Sequence, residues 1–376
     1  MTRRPICLGI IGCGAIFDIY ARNLTTRFPG VDVRYCADVD GARARAKSNA
    51  YPGITASTTE DILNNPEVEM VLNITPPSAH YEVTRRALAS GKHVFSEKPL
   101  ALDRNQGSLL LEAATHAGVR LGCAPDTFLG AGLRTCRQII DQGLIGKPVA
   151  AIAFMLCHGH ESWHPSPAVY YQPGGGPLMD MGPYYLTALV HLLGPIRRVS
   201  GMTKKSFEYR TIATGRQIGH LISVEVPTHV IGLLEFDSGA MGSITTSFDV
   251  WASEAPRLEI HGTEGSLSLP DPNGFGGPVR LYTRNQPVWR DLPLISEHTE
   301  DCRGIGLLDM ATAIRLNRPH AASAEMAFHV LDVMLAIGES HDLGGRTKSP
   351  VKFPQIYRDA AGSPGYFFPT KNHVSK

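Results

Sequence analysis

An apolar, isoleucine-rich run over residues 5–11 stops at Gly12-Cys13-Gly14 and gives way to helical spacing at Ile16, Ile19, Tyr20, Asn23 and Leu24. No other feature limits the fold as strongly. A buried strand that turns through two glycines into a helix opens a doubly wound α/β sheet, and its backbone N–H groups can face a pyrophosphate. The pattern repeats along the chain. Val31–Ala37 reads as a second strand, followed by Val68–Ile74, a helix near Ala79–Ala89, His93–Phe95, a helix near Asn105–Ala117, and Val119–Ala124. Strands alternating with helices imply a parallel sheet.

The glycine turn departs from the full dinucleotide fingerprint. Glycines belong at its first, third and sixth positions, which are here Gly12, Gly14 and Phe17. Phe17 predicts a helix standing slightly away from its strand. Asp38 ends the second strand 24 residues after Gly14, near the spacing of ~20 for a carboxylate that accepts the ribose hydroxyls. Its alternative task is to cap a helix starting near Asp40. A carboxylate there repels a 2′-phosphate and favours NAD, while Arg43 leaves NADP open as the cofactor.

The chain's 376 residues suit two domains. A formal net charge of +1 and the lack of a Lys/Arg-rich run argue against a nucleic-acid surface. No apolar stretch reaches the ~18 residues that span a bilayer, so no membrane partner is expected. Seven cysteines without metal-ligand spacing fit a reducing cytoplasm, and Cys7, Cys36, Cys123 and Cys157 sit in apolar runs as small hydrophobes. Arg3-Arg4 before an apolar run could be read as an export signal, but that run also carries Gly12 and Gly14 and is better spent as a strand.

Two further motifs carry chemistry. Lys98 in Glu97-Lys98-Pro99 precedes a proline and so favours an extended backbone, at the carboxyl end of a strand where such sheets bind ligands. The run Gly174-Gly175-Gly176-Pro177-Leu178-Met179-Asp180-Met181-Gly182-Pro183-Tyr184 puts Asp180 and Tyr184 on one helix face. Taken alone, Lys98 could be a solvated lysine, Asp180 a helix cap and Tyr184 an interfacial aromatic. Brought together beside a nicotinamide, they would form a proton-transfer site for alcohol oxidation. The loop Cys157-His158-Gly159-His160-Glu161-Ser162-Trp163-His164-Pro165 offers aromatic and imidazole groups for a sugar-binding wall. His158 and His160 alternate as on a strand face, but no cysteine or carboxylate cluster supports a metal, and none is expected.

With Gly9–Gly14, Ala37-Asp38-Val39-Asp40, Thr75-Pro76-Pro77 with His80, Gly91-Lys92-His93-Val94, Glu-Lys-Pro, Gly174–Tyr184 and His261–Leu267 in this order, the chain resembles the glucose–fructose oxidoreductase/inositol dehydrogenase/MocA (Gfo/Idh/MocA) family over nearly its whole length. The resemblance implies a Rossmann domain over residues 1–124. Residues 125–376 would then form an α/β domain with an open, mainly antiparallel sheet that covers the nicotinamide and mediates a homodimer or homotetramer. Val226–Phe236 and Ala240–Asp249 read independently as a hairpin, as do Leu258–His261 and Ser266–Leu269. Ala324–Gly338 reads as a helix, followed by an irregular tail with Pro350, Pro354, Pro364 and Pro369.

Carried over by position, the resemblance assigns NAD contacts to Gly12, Gly14, Ala15, Ile16, Asp38, Thr75, Pro76, His80, Glu97 and Lys98. It assigns catalysis and substrate contact to Lys98, Asp180 and Tyr184; the loop residues Trp163 and His164, and Asp126 at the pocket edge, are further candidates for substrate contact. Relatives usually have histidine where Tyr184 stands, and often a basic residue near Asp126. The chain reads Ala124-Pro125-Asp126-Thr127-Phe128 there, which predicts a pocket edge suited to neutral rather than anionic sugars. Tyrosine, with an ordinary pKa of ~10, needs a nearby cation to act as a base, so either Tyr184 or Asp180 could take the proton. The implied activity is NAD(P)-dependent oxidation of a neutral sugar, glycoside or cyclitol. The alternatives are glycoside cleavage through transient oxidation, and ligand sensing without turnover.

Overall fold

The computed structural model describes residues 4–344. The Pro-rich tail lies outside the described residues. Eleven elements build the first layer: β1 (Ile6–Ile11), α1 (Phe17–Thr26), β2 (Val31–Ala37), α2 (Gly41–Ala50), β3 (Thr55–Ala56), α3 (Thr59–Asn64), β4 (Met70–Asn73), α4 (Pro77–Ala89), β5 (His93–Ser96), α5 (Arg104–Ala117) and β6 (Leu121–Cys123). Their strands form one parallel sheet in the order β3-β2-β1-β4-β5-β6. The run with the two preceding arginines is thus the central strand β1, buried at every position. The order reverses between β1 and β4, and a ligand crevice opens at the carboxyl ends there.

The second layer follows. It comprises α6 (Ala131–Asp141), β7 (Pro148–Leu156), α7 (Gly176–Leu193), β8 (Ile196–Lys204), β9 (Tyr209–Thr211), β10 (Leu221–Ser223), β11 (His229–Phe236), β12 (Met241–Ser247), β13 (Leu258–Gly262), β14 (Gly265–Leu269), β15 (Arg280–Thr283), β16 (Gln286–Asp291), α8 (Ile305–Leu316) and α9 (Ala324–Asp342). Eight strands form an open sheet in the order β16-β15-β14-β13-β7-β12-β11-β8. Both hairpins anticipated in the sequence are present, as β11–β12 and β13–β14. Among the described residues only the β7–β12 pair of this sheet is parallel, so the sheet is mixed but mainly antiparallel.

α7 lies against this sheet with most of its apolar side chains buried, including Tyr185, Leu186, Ala188 and Leu189. α9 reaches both layers: it packs on β8 and α7 and also on α5 and β6. The chain's last described helix therefore ties the second layer to the first. The ion pairs of Arg104 on α5 with Asp332 and Glu339 on α9 add to that seam.

Candidate active site

Backbone geometry makes the cofactor cradle. Gly12 has φ +106, and a Cβ there would meet the Ile74 carbonyl oxygen at 2.6 Å. Only glycine tolerates both the left-handed backbone and the close approach. Gly14 has nothing within 4 Å of where its Cβ would be, so the chain leaves open space before α1. Ile16, at the cap of α1, offers no side-chain bond to the helix's first N–H groups, which leaves that end to an anion. Gly14 and Ala15 are exposed and Ile16 half-buried, on the surface of the turn. Phe17, where the fingerprint has a small residue, sits on the inner face of α1. It turns fully into the core and meets Tyr51 edge-on at 5.8 Å.

Asp38 does not cap α2; Asp40 does, accepting from Ala42 N. Asp38 Oδ2 instead accepts from Cys13 N at 2.8 Å and Oδ1 from Asp40 N at 2.9 Å. The carboxylate is thus fixed half-exposed beside the glycine turn, with lone pairs remaining for a ribose diol. These residues fit a dinucleotide. Arg43 is exposed and paired with Asp40 at 3.6 Å.

Across the crevice, Thr75 and the exposed Pro76 lead into α4. Thr75 Oγ1 donates to Asn73 Oδ1 at 2.7 Å. His80, expected to touch the cofactor, is 1% exposed, and its ring nitrogens meet the carbonyls of Thr75 at 2.7 Å and Pro99 at 2.8 Å. It ties the Thr75 turn to the Lys98 loop from beneath. Glu97 is also buried: Oε1 accepts from the Tyr20 hydroxyl at 2.7 Å and Oε2 from Lys98 N at 3.0 Å. Both residues hold the crevice in shape.

Lys98 and the start of α7 meet in this crevice. Lys98 Nζ donates to Asp180 Oδ1 at 2.9 Å and to the Asp180 carbonyl at 2.6 Å. Each side chain is 15% exposed. Burial opposes the ammonium charge, but the Asp180 carboxylate, with Tyr184 and Glu97 beyond it, holds the pKa above the usual lysine range. Burial likewise opposes ionisation of Asp180, yet Lys98 and His160 hold it below the usual carboxylate range. The pair is a fixed ammonium–carboxylate dipole.

Tyr184 lies one turn along α7, as the i, i+4 spacing predicts, with Lys98 Nζ 5.2 Å from its ring centroid. Burial raises its pKa, and Lys98 and Arg303 offset this only partly. The phenol keeps its proton. That favours a donor or orienting role over a base.

Three findings amend the reading of the sequence. Asp126 does not line the pocket edge. It is 1% exposed, and Oδ2 accepts from both Gly304 N and Gly306 N at 2.9 Å, at the N-terminus of α8. Burial pushes its carboxyl up to about 6, against those two bonds. The second finding is Arg303, which no motif marked. It pairs with Asp301 at 2.7 Å and donates to Asn273 Oδ1 at 2.8 Å, and its charge opposes the rise that burial imposes on the Tyr184 phenol.

The third concerns His158 and His160. Strand β7 ends at Leu156, and Gly159 at φ +64 breaks the extension. The two rings therefore diverge. His158 stacks on Trp251 at 3.3 Å and meets Arg210, whereas His160 Nε2 lies 3.4 Å from Asp180 Oδ2. Among the described residues no group of three His, Cys, Asp or Glu is placed to hold a metal.

The loop that carries these histidines is pinned from behind. Arg210 on β9, 5% exposed, bridges Glu161 at 3.0 Å and Asp249. Tyr171 also donates to Glu161, and Thr228 Oγ1 to Asp249 Oδ2 at 2.7 Å. Such a buried network fixes geometry, because breaking one partner strands the other's charge. It presents Trp163, 61% exposed, and half-buried His164 at the rim. The two rings meet edge-on at 5.3 Å, and His164 meets Tyr170 at 5.0 Å.

Family models match both halves of the chain: "Oxidoreductase family, NAD-binding Rossmann fold" over residues 6–124 and "GFO/IDH/MocA C-terminal domain" over residues 133–268. The chain is 30% identical over 272 residues to an inositol 2-dehydrogenase of Ralstonia nicotianae, covering 70% of this chain and 74% of that one. The chain belongs to the Gfo/Idh/MocA oxidoreductase family. It is also 25% identical over 362 residues to a D-glucoside 3-dehydrogenase of Escherichia coli, covering 93% and 99%. A crystal structure of an NAD-binding oxidoreductase from Klebsiella pneumoniae superposes with a TM-score of 0.81 at 25% identity, covering 93% and 100%. The first layer of this family member is thus an NAD-binding Rossmann domain, and the protein is an oxidoreductase acting on CH–OH groups.

Proposed function

We propose that the enzyme oxidises a secondary hydroxyl of a neutral sugar, glycoside or cyclitol, with NAD as the preferred partner. The observation that carries this reading is the Lys98–Asp180 pair, fixed at 2.9 Å where α7 meets the carboxyl end of β5. Two of the three Lys98 protons are taken by Asp180, which leaves one for a substrate oxygen. An ammonium held there favours the alkoxide character that develops as the C–H bond breaks. When bound, the nicotinamide accepts the hydride from that carbon. Tyr184, with its proton retained, orients a neighbouring hydroxyl.

Neutral substrates are favoured on an electrostatic ground that differs from the one the sequence suggested. Each cation at the cluster already has its carboxylate: Lys98 has Asp180, and Arg303 has Asp301. The names of relatives supply the substrate class: inositols, D-xylose and D-glucosides are the substrates named for them. Trp163 and Tyr170 supply aromatic faces suited to a sugar ring's apolar face. A panel of neutral sugars and cyclitols, scored by NADH appearance, tests the reading; a wild-type enzyme inert on all of them refutes it. Aglycone release from an aryl glycoside with catalytic NAD would instead indicate elimination chemistry.

The outer sheet face carries Met202, Ile231, Leu233 and Met241, between 41% and 67% exposed. We propose that a second copy covers this apolar face, giving a homodimer or homotetramer. A monomer by light scattering at micromolar concentration would refute it.

A further inference from the structure

Asp180 has a different partner on each carboxylate oxygen. Lys98 Nζ sits 2.9 Å from Oδ1, and His160 Nε2 sits 3.4 Å from Oδ2. The His160 side chain is only 9% exposed and is clamped on several sides. It stacks on Tyr170 at 3.9 Å and 21°, meets Phe248 edge-on at 4.6 Å, and lies 5.1 Å from Trp163. Its backbone N–H donates to the Tyr171 hydroxyl at 3.4 Å. Among the described residues Nδ1 has no hydrogen-bond partner, so the ring's polar contact there lies on the Asp180 side. Placing an imidazole this deep beside a lysine–carboxylate pair costs desolvation that packing alone does not require.

Oxidation of a hydroxyl releases one proton for each hydride. Lys98, held as ammonium, has no lone pair to receive it. Asp180, held below its usual range, is a weak base, and the Tyr184 phenol already keeps its own proton. Histidine is the residue type whose ordinary pKa suits proton transfer near neutrality.

We propose that His160 is the catalytic base, receiving the substrate's hydroxyl proton at Nε2 while Asp180 Oδ2 holds the imidazolium that forms. The inference rests on the dehydrogenase reading above. In the step, the O–H bond breaks and the Nε2–H bond forms. The oxygen's electron pair becomes the carbonyl π bond, and the C–H pair leaves as hydride to the nicotinamide. Lys98 and Asp180 end the step in the states in which they began. The neighbours that bear on the proton are Asp180 from α7 with Lys98 behind it, Tyr170 and Tyr171 from the turn before α7, and His164 from the same loop; Phe248 and Trp163 are uncharged.

The test uses the full-length enzyme with a sugar that the wild type oxidises in a Lys98-dependent way. His160→Gln keeps a polar side chain of similar reach but cannot serve as the base. It should lower kcat by ~10² or more, leave KM within about threefold, and remove the fall in kcat on the acid side of the pH profile. In His160→Ala, added imidazole should restore part of the rate in a saturable way, with the acid-side fall restored. Titration of NADH by its fluorescence should be unchanged in both variants, which separates a base from a fold-holding residue. His160→Gln keeping more than a third of wild-type kcat overturns the proposal and leaves the dehydrogenase reading standing. So does a loss of rate with the acid-side fall intact, or a loss of NADH binding. A wild-type enzyme that oxidises no polyol overturns both.

Discussion

The two ends of the crevice are built on opposite principles. At the cofactor end the work falls to backbone: Gly12 at φ +106 against the Ile74 carbonyl, open space over Gly14, and an uncapped start to α1. One carboxylate, Asp38, braces the turn. At the hydroxyl end the work falls to polar side chains from distant parts of the chain, with Lys98 and His160 sharing the Asp180 carboxylate and Arg303 set against Tyr184. A backbone cradle depends on Gly12 and on the one carboxylate, Asp38, that braces the turn. A side-chain cluster depends on each member. The two ends should therefore respond to mutation independently: losses at the hydroxyl end in kcat, losses at the cofactor end in nucleotide binding.

The largest effect should come from Lys98. Lys98→Ala removes the donor to the substrate oxygen, and acid–base and electrostatic help of this type is worth ~10²–10⁴-fold. We expect kcat to fall by at least ~10² with the NAD dissociation constant within about threefold. A parallel loss of NAD binding, read by calorimetry, would break the separation of the two ends. Next comes Asp38. NAD should bind at least about tenfold more tightly than NADP, ~1.4 kcal/mol. Asp38→Ala should narrow that gap, chiefly by relieving repulsion of the 2′-phosphate, with kcat on NAD little changed. Equal affinities in the wild type would count against the assignment.

Tyr184→Phe should cost only a few-fold in kcat, because the buried phenol is not the proton's destination. A loss of ~10² with disappearance of the basic limb would make Tyr184 the base after all.

The smallest effect concerns Asp126, which the sequence placed at the hydroxyl end and the structure places behind it. Its folded pKa of about 6 lies above the ordinary carboxyl value of 3.8. The folded state thus binds its proton more tightly, a contribution present below about pH 4 and lost as pH rises through about 6. Asp126→Asn can still accept both amide bonds without a charge. It should melt at or above the wild-type temperature at pH 7.5, with the advantage shrinking towards pH 4.5. Thermal melts at the two pH values check this, and a reversed trend would refute the raised carboxyl.

How much of this was legible follows from the same contrast. The glycine turn could be read directly, since its geometry excludes other residues, and strand–helix alternation gave the parallel sheet. The strand assignments in the first layer erred by only a residue or two at their ends, as with β4 at Met70–Asn73, and β11 starts three residues later than read, at His229. Asp180 and Tyr184 were readable as a pair because helical spacing links them. Arg303 was not, because Tyr184 lies 119 positions earlier in the sequence and no spacing rule connects them. Asp126 was misplaced for the same reason: its amide donors, Gly304 and Gly306, arrive with α8 from far along the chain. Gly306 is the trace of that contact, since a Cβ there would meet the Asp126 Cβ at 2.7 Å. His160 was visible in the loop but set on a strand face beside His158, and the left-handed turn at Gly159 removes that alternation.

The most direct test of the central claim follows the hydrogen itself. A polyol that the wild type oxidises, deuterated at the carbon that becomes the carbonyl, is incubated with NAD, and NADH and product are analysed by mass spectrometry. The account predicts one deuterium in NADH for each keto-sugar formed, and no label transfer above background with Lys98→Ala in the same time. Product formed without labelled NADH, or label transfer undiminished in Lys98→Ala, would contradict it.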